Sequence, residues 1–444
     1  MRKRLHSISL SMLAVSLLAG CGGGAASGGD KNDAGGKGAE QPAAGKSGEP
    51  VEVVFYAQNG MAPAEFDNRY GNSLRAKFPQ YTIKYIQNTG KGTDVPGMLA
   101  TGTHYDIYFA NVGYFENETF GHNVQSDMTE LIAKHKIDLN RFDASTISGV
   151  QAAGSGIYAL PVFTDTMGLY YNKDLFDKFG VAYPKNGMVW DELNELSRKL
   201  TRNEGGRNYL GYAPFPNYTL FMNPLSIPLV DAKTLTPTIN RDAKWNKFFQ
   251  TLVVAPSEVP GARDYLNAMK TNVLDGFYEA QDVAMLVNVS FSANNRPGLS
   301  KFDWDWVSVP TFPDQRGVGM QPYTQYFGLT RMAKQKDAAM ELLKHLVSDE
   351  FQAAAARRGF MPVLKNADIR KEFGKETVYK DKNWAAYFYH KMAEVPYKGL
   401  YEIPVSNIYA SHMSQVMAGK LDVNTALRLA EEGATKTLQE LRAK

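Results

Sequence analysis

Residues 51–109 alternate between two hydrophobic periods. Val51–Ala57 (VEVVFYA) is apolar enough for a buried strand, and Tyr81–Ile86 and Tyr105–Phe109 have a similar pattern. Between the first two strands, apolar residues recur every four positions and predict an amphipathic helix, at Phe66, Tyr70, Leu74 and Phe78. Strands that alternate with helices indicate an α/β fold with parallel βαβ connections. In such a fold a ligand crevice forms at the carboxyl ends of the strands, which here are followed by Gln58, Asn59, Asn111 and Tyr114.

Residues 156–193 contain two apolar strands in close succession. The pattern predicts strands at Ile157–Pro161 and Met167–Tyr171, a short polar crossing at Phe163–Thr166 between them, and a helix from Lys173. No Asn-Gly or Gly-Gly turn joins the two strands, so a hairpin is disfavoured. The segment is therefore predicted to carry the chain from one lobe to another.

The second half of the chain continues the mixed pattern. Asp282–Asn288 and Trp304–Val309 are predicted as strands, and a loop rich in Pro, Gly and aromatic residues follows at 310–326. Apolar residues at helical spacing predict two amphipathic helices, at 338–347 and 427–441. The length is sufficient for two substantial α/β domains.

The N-terminus has the features of an export signal. Three basic residues precede the apolar stretch Ile8–Leu18, which is shorter than a membrane-spanning helix requires. Leu18-Ala19-Gly20-Cys21 has the form of a bacterial lipobox, in which the Cys is lipidated and becomes the new N-terminus. Cys21 is also the only Cys of the chain, so no intrachain disulfide can form. We expect residues 1–20 to be a signal peptide and Cys21 to anchor the exported chain to the outer face of the bacterial cell membrane.

Composition and charge limit the partners. Residues 21–50 are rich in Gly, Ala, Ser and Lys, with no aliphatic or aromatic residue larger than Ala, which predicts a flexible tether. The first twenty residues hold three of the 49 basic residues and none of the 46 acidic ones, so the remainder carries no net charge. A neutral chain gives no electrostatic basis for nucleic-acid binding. The lipid anchor is thus the only expected contact with the membrane.

Several residues of segment 156–193 follow a longer pattern, namely Gly156, Tyr158, Pro161, Leu169, Tyr171, Asn172, Lys173, Asp174, Leu175, Phe176, Pro184, Trp190, Asp191 and Glu192. This pattern resembles that of the extracellular (family 1) solute-binding proteins of carbohydrate ABC importers, the relatives of maltose-binding protein. Segments 280–288 (AQDVAMLVN) and 359–363 (GFMPV) resemble later parts of the same family, although Ala280 stands where the family has Gly. The resemblance covers roughly residues 51–444.

The resemblance implies a type II periplasmic-binding-protein fold. Such proteins have two lobes, each a mostly parallel sheet flanked by helices, with the ligand cleft between them. By analogy, lobe one comprises 51–163 and 289–365, and lobe two comprises 164–288 and 366–444. The chain would act as a monomer without a cofactor, capturing a carbohydrate such as an oligosaccharide and delivering it to an ABC permease and its ATPase.

The family likewise implies which residues contact the ligand. Asp165, four residues after Pro161, stands at the crossing, where relatives carry an acidic ligand contact. Asn288 and Phe291 follow the AMLVN strand, where relatives place a polar contact and a stacking aromatic residue, often Trp. Further aromatic contacts are implied in the later segments of the chain, at Tyr323, Tyr326 and Tyr409. Aromatic side chains suit the apolar faces of sugars, and the chain contains 24 Tyr, 23 Phe and 5 Trp.

Enzyme and metal functions have less support in the sequence. There is no G-x-S-x-G, H-E-x-x-H, C-x-x-C or phosphate-loop motif, and the seven His are scattered. Tyr170 and Tyr171 are not expected to form a ferric site, because adjacent strand residues face opposite sides of a sheet. We therefore predict no catalytic residue and no metal site. Three alternatives stay open: a peptide or polyol ligand in the same fold, a secreted carbohydrate-active enzyme, and a sensory role beside a membrane kinase.

Overall fold

A computed structural model describes residues 51–151 and 156–443. Its strands are β1 Val51–Ala57, β2 Tyr81–Gln87, β3 Ile107–Asn111, β4 Leu160–Thr164, β5 Met167–Asn172, β6 Arg202–Glu204, β7 Arg207–Tyr212, β8 Val283–Val289, β9 Trp304–Ser308, β10 Gln325–Leu329 and β11 Met361–Pro362. The predictions of a signal peptide, a lipidated Cys21 and a tether concern residues that lie outside the described ranges.

The α-helices flank these strands. They are α1 Pro63–Phe66, α2 Asn72–Lys77, α3 Val95–Thr101, α4 Tyr114–Gly121, α5 Thr129–Lys134, α6 Ala144–Gln151, α7 Lys173–Phe179, α8 Trp190–Leu200, α9 Pro216–Phe221, α10 Lys244–Phe249, α11 Ala255–Ser257, α12 Ala262–Ala268, α13 Val273–Asp275, α14 Ser292–Asn295, α15 Lys336–Leu346, α16 Asp349–Arg357, α17 Ala367–Lys371, α18 Glu402–Met417 and α19 Val423–Arg442. A π-helical turn, Asp67–Gly71, joins α1 to α2, so the helix predicted from Phe66 onward is confirmed. Within the described residues, every helix is too short or too polar to cross a bilayer.

Two sheets form the centres of two lobes. The sheet of lobe one has the order β11-β4-β10-β3-β1-β2, and that of lobe two has the order β6-β7-β8-β5-β9. Strands β4 and β5 are separated only by Asp165 and Thr166, yet they belong to different sheets. The predicted passage between lobes is therefore confirmed, and the two-lobed α/β class with it. The crossing predicted at Phe163–Thr166 is limited to Asp165 and Thr166, because β4 continues to Thr164.

The sheets are mixed rather than mostly parallel, which corrects the expectation. In lobe one β1 is parallel to β2 and β3, whereas β10 is antiparallel to both β3 and β4. In lobe two β5 is antiparallel to β8 and β9. The cause is the crossing itself. A strand that leaves a lobe ends at the cleft edge, whereas a strand that enters the lobe begins there, so β10 and β5 run opposite to their neighbours.

The expected lobe boundaries are wrong for residues 290–308, which contain α14 and β9. The resemblance implies that residues 289–365 belong to lobe one, but β9 pairs with β5 in the sheet of lobe two. Its Trp306 is fully buried and packs against Tyr170 and Trp384, at ring-centroid distances of 5.2 and 4.4 Å. These contacts and the pairing with β5 place β9 in lobe two, so the chain returns to lobe one after β9, through residues 309–324. It crosses a third time after β11.

Candidate functional site

A cavity of about 570 Å³ lies between the two lobes. Its lining consists of Asn59, Glu65, Asn68, Arg69, Asn111, Phe163, Thr164, Asp165, Phe291, Asn294, Asn295, Gln325, Arg358, Gly359, Phe360 and Met361. Most of these side chains are polar, and three are phenylalanine rings. We call this cavity the cleft.

The topology of both sheets brings these residues to one edge. In lobe one, Asn59 follows β1, Asn111 ends β3, and Asp165 follows β4, while Gln325 begins the antiparallel β10. In lobe two, Phe291 follows β8 and leads directly into α14. The carboxyl ends of β1, β3, β4 and β8 thus all face the cleft, as expected for ligand sites in open α/β sheets.

Asp165 joins the two lobes at the floor of the cleft. Its backbone N–H donates to the carbonyl of Tyr323 (3.3 Å), and its own carbonyl accepts from the Tyr323 N–H (2.7 Å). Ser290 Oγ of lobe two donates to Asp165 Oδ1 at 2.6 Å. Burial raises the pKa of Asp165 to about 7, against the opposing effects of Ser290 and of the Arg69 charge. The carboxyl can therefore accept or donate a hydrogen bond near neutral pH.

Stacked aromatic rings support the wall of the cleft on lobe one. The ring of Phe163 lies parallel to that of Phe360 at 5.1 Å and parallel to that of Tyr70 at 5.5 Å. Tyr70 is fully buried, and its hydroxyl donates to Gln325 Oε1. Phe163 itself is buried on a strand, so the stack fixes Phe360 on the outer side of a rigid layer. An apolar surface next to hydrogen-bonding groups is what a sugar ring requires.

Two arginines lie over the outer ring of this stack. The Cζ atoms of Arg69 and Arg358 are 5.1 and 5.4 Å from the Phe360 centroid. Arg69 comes from the π-helical turn Asp67–Gly71 and forms an ion pair with Glu65. Arg358 follows α16 and donates from Nη1 to the carbonyl of Asn68 at 2.6 Å. These cation–π contacts hold both guanidinium groups at the cleft surface.

The wall on lobe two is built from the start of α14. Phe291 packs edge-on against Tyr218, with 6.2 Å between the ring centroids, and Asn294 and Asn295 are exposed toward the cleft. Asn294 Nδ2 also reaches across to lobe one and donates to the carbonyl of Gly359 at 3.1 Å. The two lobes thus touch at this side of the cleft.

Of the residues predicted to bind ligand, four line the cleft, namely Asp165, Asn59, Asn111 and Phe291. Tyr323 lies next to it, bonded to Asp165 through the backbone and packed against Tyr218 at 6.0 Å. Gln58 and Tyr114 do not line it. The Gln58 carbonyl accepts from Asn88 Nδ2 (2.9 Å), and Tyr114 packs against the apolar core at the start of α4.

The predictions for Asn288, Tyr326 and Tyr409 are corrected, because all three side chains lie in the interior. Asn288 Nδ2 donates to Tyr278 Oη at 3.0 Å and to Ser292 Oγ at 3.1 Å, beneath the cleft wall. Tyr326 follows Gln325 in β10 and so faces the opposite side of the sheet, where its hydroxyl donates to the Thr146 carbonyl (2.8 Å). Tyr409 lies on the buried face of α18, and its hydroxyl donates to the Leu229 carbonyl (2.9 Å).

The residues predicted from the sequence did not include the two arginines of the cleft or three of its asparagines, Asn68, Asn294 and Asn295. Arg69 lies on the polar side of an amphipathic helix, where a solvated role is the ordinary expectation. Arg358 and Phe360 flank the Gly359 that begins the GFMPV segment, so this motif was the one available signal for them. No three His, Cys, Asp or Glu side chains of the described ranges converge as metal ligands would.

A family of bacterial extracellular solute-binding proteins matches residues 35–353 of this chain. Two proteins named as binding proteins, from Brucella abortus (strain 2308) and Brucella suis biovar 1 (strain 1330), are each 24% identical to it over 221 residues. In both cases the match covers 47% of this chain and 51% of the relative. The chain therefore spans about half the length of the curated relatives it matches.

Solved structures share the fold. A sugar transporter from Rhizobium etli in an open conformation has a TM-score of 0.69 at 19% identity, covering 87% of this chain and 99% of its own. An ABC substrate-binding protein from Listeria monocytogenes in complex with cycloalternan has a TM-score of 0.68 at 20% identity, covering 88% and 100%. A cyclic alpha-maltosyl-1,6-maltose binding protein from Arthrobacter globiformis has a TM-score of 0.70 at 15% identity, covering 88% and 100%. Because the family match extends over more than half of the sequence, the chain belongs to the bacterial extracellular solute-binding proteins.

Proposed function

We propose that this protein is the lipid-anchored solute-binding component of an ABC importer and that it captures a carbohydrate in the cleft. The observation that carries the proposal is the composition of the cleft, in which hydrogen-bonding side chains and phenylalanine rings of both lobes face one cavity. Amide and carboxyl groups match sugar hydroxyls, and aromatic rings match the apolar faces of a pyranose. The sugar and oligosaccharide ligands named for the structural relatives support the same class of solute.

The proposed mechanism is closure of the lobes about the crossing segments. A solute that contacts Asp165 and Phe360 from lobe one together with Phe291 and Asn295 from lobe two gains contacts only when the lobes approach. Such a ligand binds the closed state more tightly and shifts the population toward it. The residues that absorb the motion would be those between sheets, at 165–166 and 309–324.

Lipidation of Cys21 would keep the capture protein beside its permease. A diacylated Cys meets the need for more than one acyl chain, since each buried methylene contributes roughly 0.8 kcal/mol. Residues 22–50 would act as the tether. The transport energy would come from the ATPase of the importer, and this chain would perform no catalysis.

The proposal is tested by mass spectrometry of the small molecules that copurify with the full-length chain, followed by calorimetric titration of each one found. The proposal is supported if a saccharide binds the wild type and binds Asp165→Asn with lower affinity. If the copurifying molecule is a peptide or polyol whose binding also depends on Asp165, the ligand is of that class and not a carbohydrate. Conversion of a bound oligosaccharide to smaller products would instead establish an enzyme.

A further inference from the structure

The cleft has a positively charged end. Arg69 and Arg358 both line it on lobe one, and both guanidinium groups lie over the ring of Phe360. Arg69 contacts Glu65, and Arg358 bonds to the carbonyl of Asn68. A guanidinium has five N–H donors in a planar fork, so each arginine retains donors for a ligand.

Among the described residues, only one of these two arginines forms an ion pair. Glu65 is engaged by Arg69 in an ion pair. Asp165 accepts a hydrogen bond from Ser290 of lobe two. Across the described ranges, Arg358 has no carboxylate oxygen within 4.0 Å, whereas the neighbouring Arg357 pairs with Glu376 at 2.7 Å and with Glu372 at 3.7 Å. The guanidinium of Arg358 therefore has no carboxylate partner at this end of the cleft.

Neutral hydroxyls do not need such a pair of cations, because the remaining lining already supplies amide donors and acceptors. Oxyanions use them well, since two N–H groups of an arginine match the two oxygens of a planar carboxylate or two oxygens of a tetrahedral sulfate. The cation–π contacts with Phe360 position both arginines in advance, which lowers the entropy lost when an anion binds. The ring face of a sugar can at the same time pack on Phe291 of the opposite wall.

We propose that the solute is an acidic saccharide whose carboxylate or sulfate group lies between Arg69 and Arg358. This inference rests on the proposed function, because it names the class of carbohydrate that the cleft accepts. Carboxylate and sulfate share the chemistry that the arginines recognise, and the experiment distinguishes them.

The experiment exposes the purified full-length chain to two mixtures of oligosaccharides. One mixture comes from partial hydrolysis of the neutral polymers starch, mannan and xylan, and the other from polygalacturonate, alginate and chondroitin sulfate. Retained sugars are identified by mass spectrometry and titrated by calorimetry. The same titration is repeated with the carboxyl-reduced or desulfated form of each retained sugar, which has the same ring but no charge.

Three variants identify the contact. Arg358→Gln removes the charge, Arg358→Lys keeps it without the planar fork, and Arg357→Gln is the matched control on the adjacent position outside the cleft. We expect an acidic sugar to be retained and to bind at least about tenfold more weakly to Arg358→Gln. Arg358→Lys should recover part of that loss, and Arg357→Gln should bind as the wild type does. The uncharged form of the same sugar should bind wild type and Arg358→Gln alike.

Other outcomes overturn the inference in distinguishable ways. Retention of neutral sugars alone, with no effect of Arg358→Gln, would refute the acidic class and leave carbohydrate capture intact. Retention of an acidic sugar whose affinity is the same in Arg358→Gln would refute the assigned contact. If neither mixture yields a retained sugar while a thermal melt shows a folded protein, the proposed carbohydrate function itself is wrong.

Discussion

Asp165→Asn tests the central residue of the cleft with the smallest change in shape. The substitution keeps the side-chain volume and removes the charge that a sugar hydroxyl would face. A hydrogen bond to a charged group contributes roughly 1.5–3 kcal/mol, which corresponds to an affinity loss of about ten- to a hundredfold. Ser290 Oγ, which donates to this carboxyl at 2.6 Å, can still donate to the amide oxygen, so the crossing should stay intact.

The ionisation of Asp165 adds a pH signature. A ligand that donates to the carboxylate prefers the ionised form, and the free protein has a pKa of about 7 at this group. Wild-type affinity should therefore fall as the pH drops below 7, by up to about tenfold for each pH unit, until the pKa of the complex is reached. Because the folded pKa lies above the unfolded value, the same group lowers the stability of the ligand-free protein as the pH rises from about 4 toward 7. Asp165→Asn should remove this contribution as well as the pH dependence of binding.

Calorimetric titration from pH 5 to pH 8 measures the affinity, and urea denaturation at the same values measures the stability. Asp264→Asn is the control, since Asp264 is an exposed carboxylate in the first turn of α12 and does not line the cleft. An unchanged affinity in Asp165→Asn, or an equally steep pH profile in both variants, would refute the role assigned to Asp165.

Three further predictions concern the wall and the packing of the lobes. Phe291→Ala should weaken saccharide binding, measured by calorimetry, by about 0.5–1.5 kcal/mol in addition to the energy lost with the buried contact area. The unfolding midpoint should change little. Equal affinity in the two proteins would mean that no sugar packs on this ring. Lys398→Met should lower the free energy of unfolding by about 3–5 kcal/mol at pH 8, because this fully buried ammonium interacts with the buried Glu116 and Glu402. Burial raises the pKa of both carboxyls to about 7, so they are largely uncharged at pH 5. The free energy of unfolding that Lys398→Met removes, measured by urea denaturation, should therefore be smaller at pH 5 than at pH 8. An equal loss at the two pH values would contradict this interaction. Gly211→Ala should lower the free energy of unfolding by about 1–3 kcal/mol, since the added Cβ would overlap the Ser197 backbone. Gly121→Ala is the control, because its Cβ meets only Leu400, at 3.7 Å, and its melting temperature should not fall. Equal melting temperatures of the two variants would refute the overlap.

The sequence predicted the elements whose pattern is local. The strand at Met167–Tyr171 was found within one residue because its apolar run and the following Asn172 helix cap are both local signals. Asp165 was named through the resemblance to the solute-binding family, and the structure has it in the lining of the cleft, where its contact with ligand stays a prediction. The sequence could not predict which lobe contains β9. A buried strand has the same hydrophobic pattern in either sheet, and its lobe depends on the strands with which it pairs.

The residues of the cleft were also hard to predict, because a local sequence pattern does not reveal contacts made in the folded protein. Tyr326 and Tyr409 carry the expected residue type, but their buried faces are fixed by sheet register and by helix packing. Arg69 and Arg358 have the pattern of solvated surface residues, and they become cleft residues only because lobe two folds opposite them. Side chains that act between two lobes leave no periodic signal in one stretch of sequence.

Saccharide capture in the cleft is tested most directly by native mass spectrometry of the wild type and of Asp165→Asn, both purified without refolding. We expect the wild type to carry a bound saccharide, and we expect the variant to have lost it while keeping the charge-state distribution of a folded chain. A bound molecule that is no saccharide, or a saccharide held equally by both proteins, would contradict this expectation.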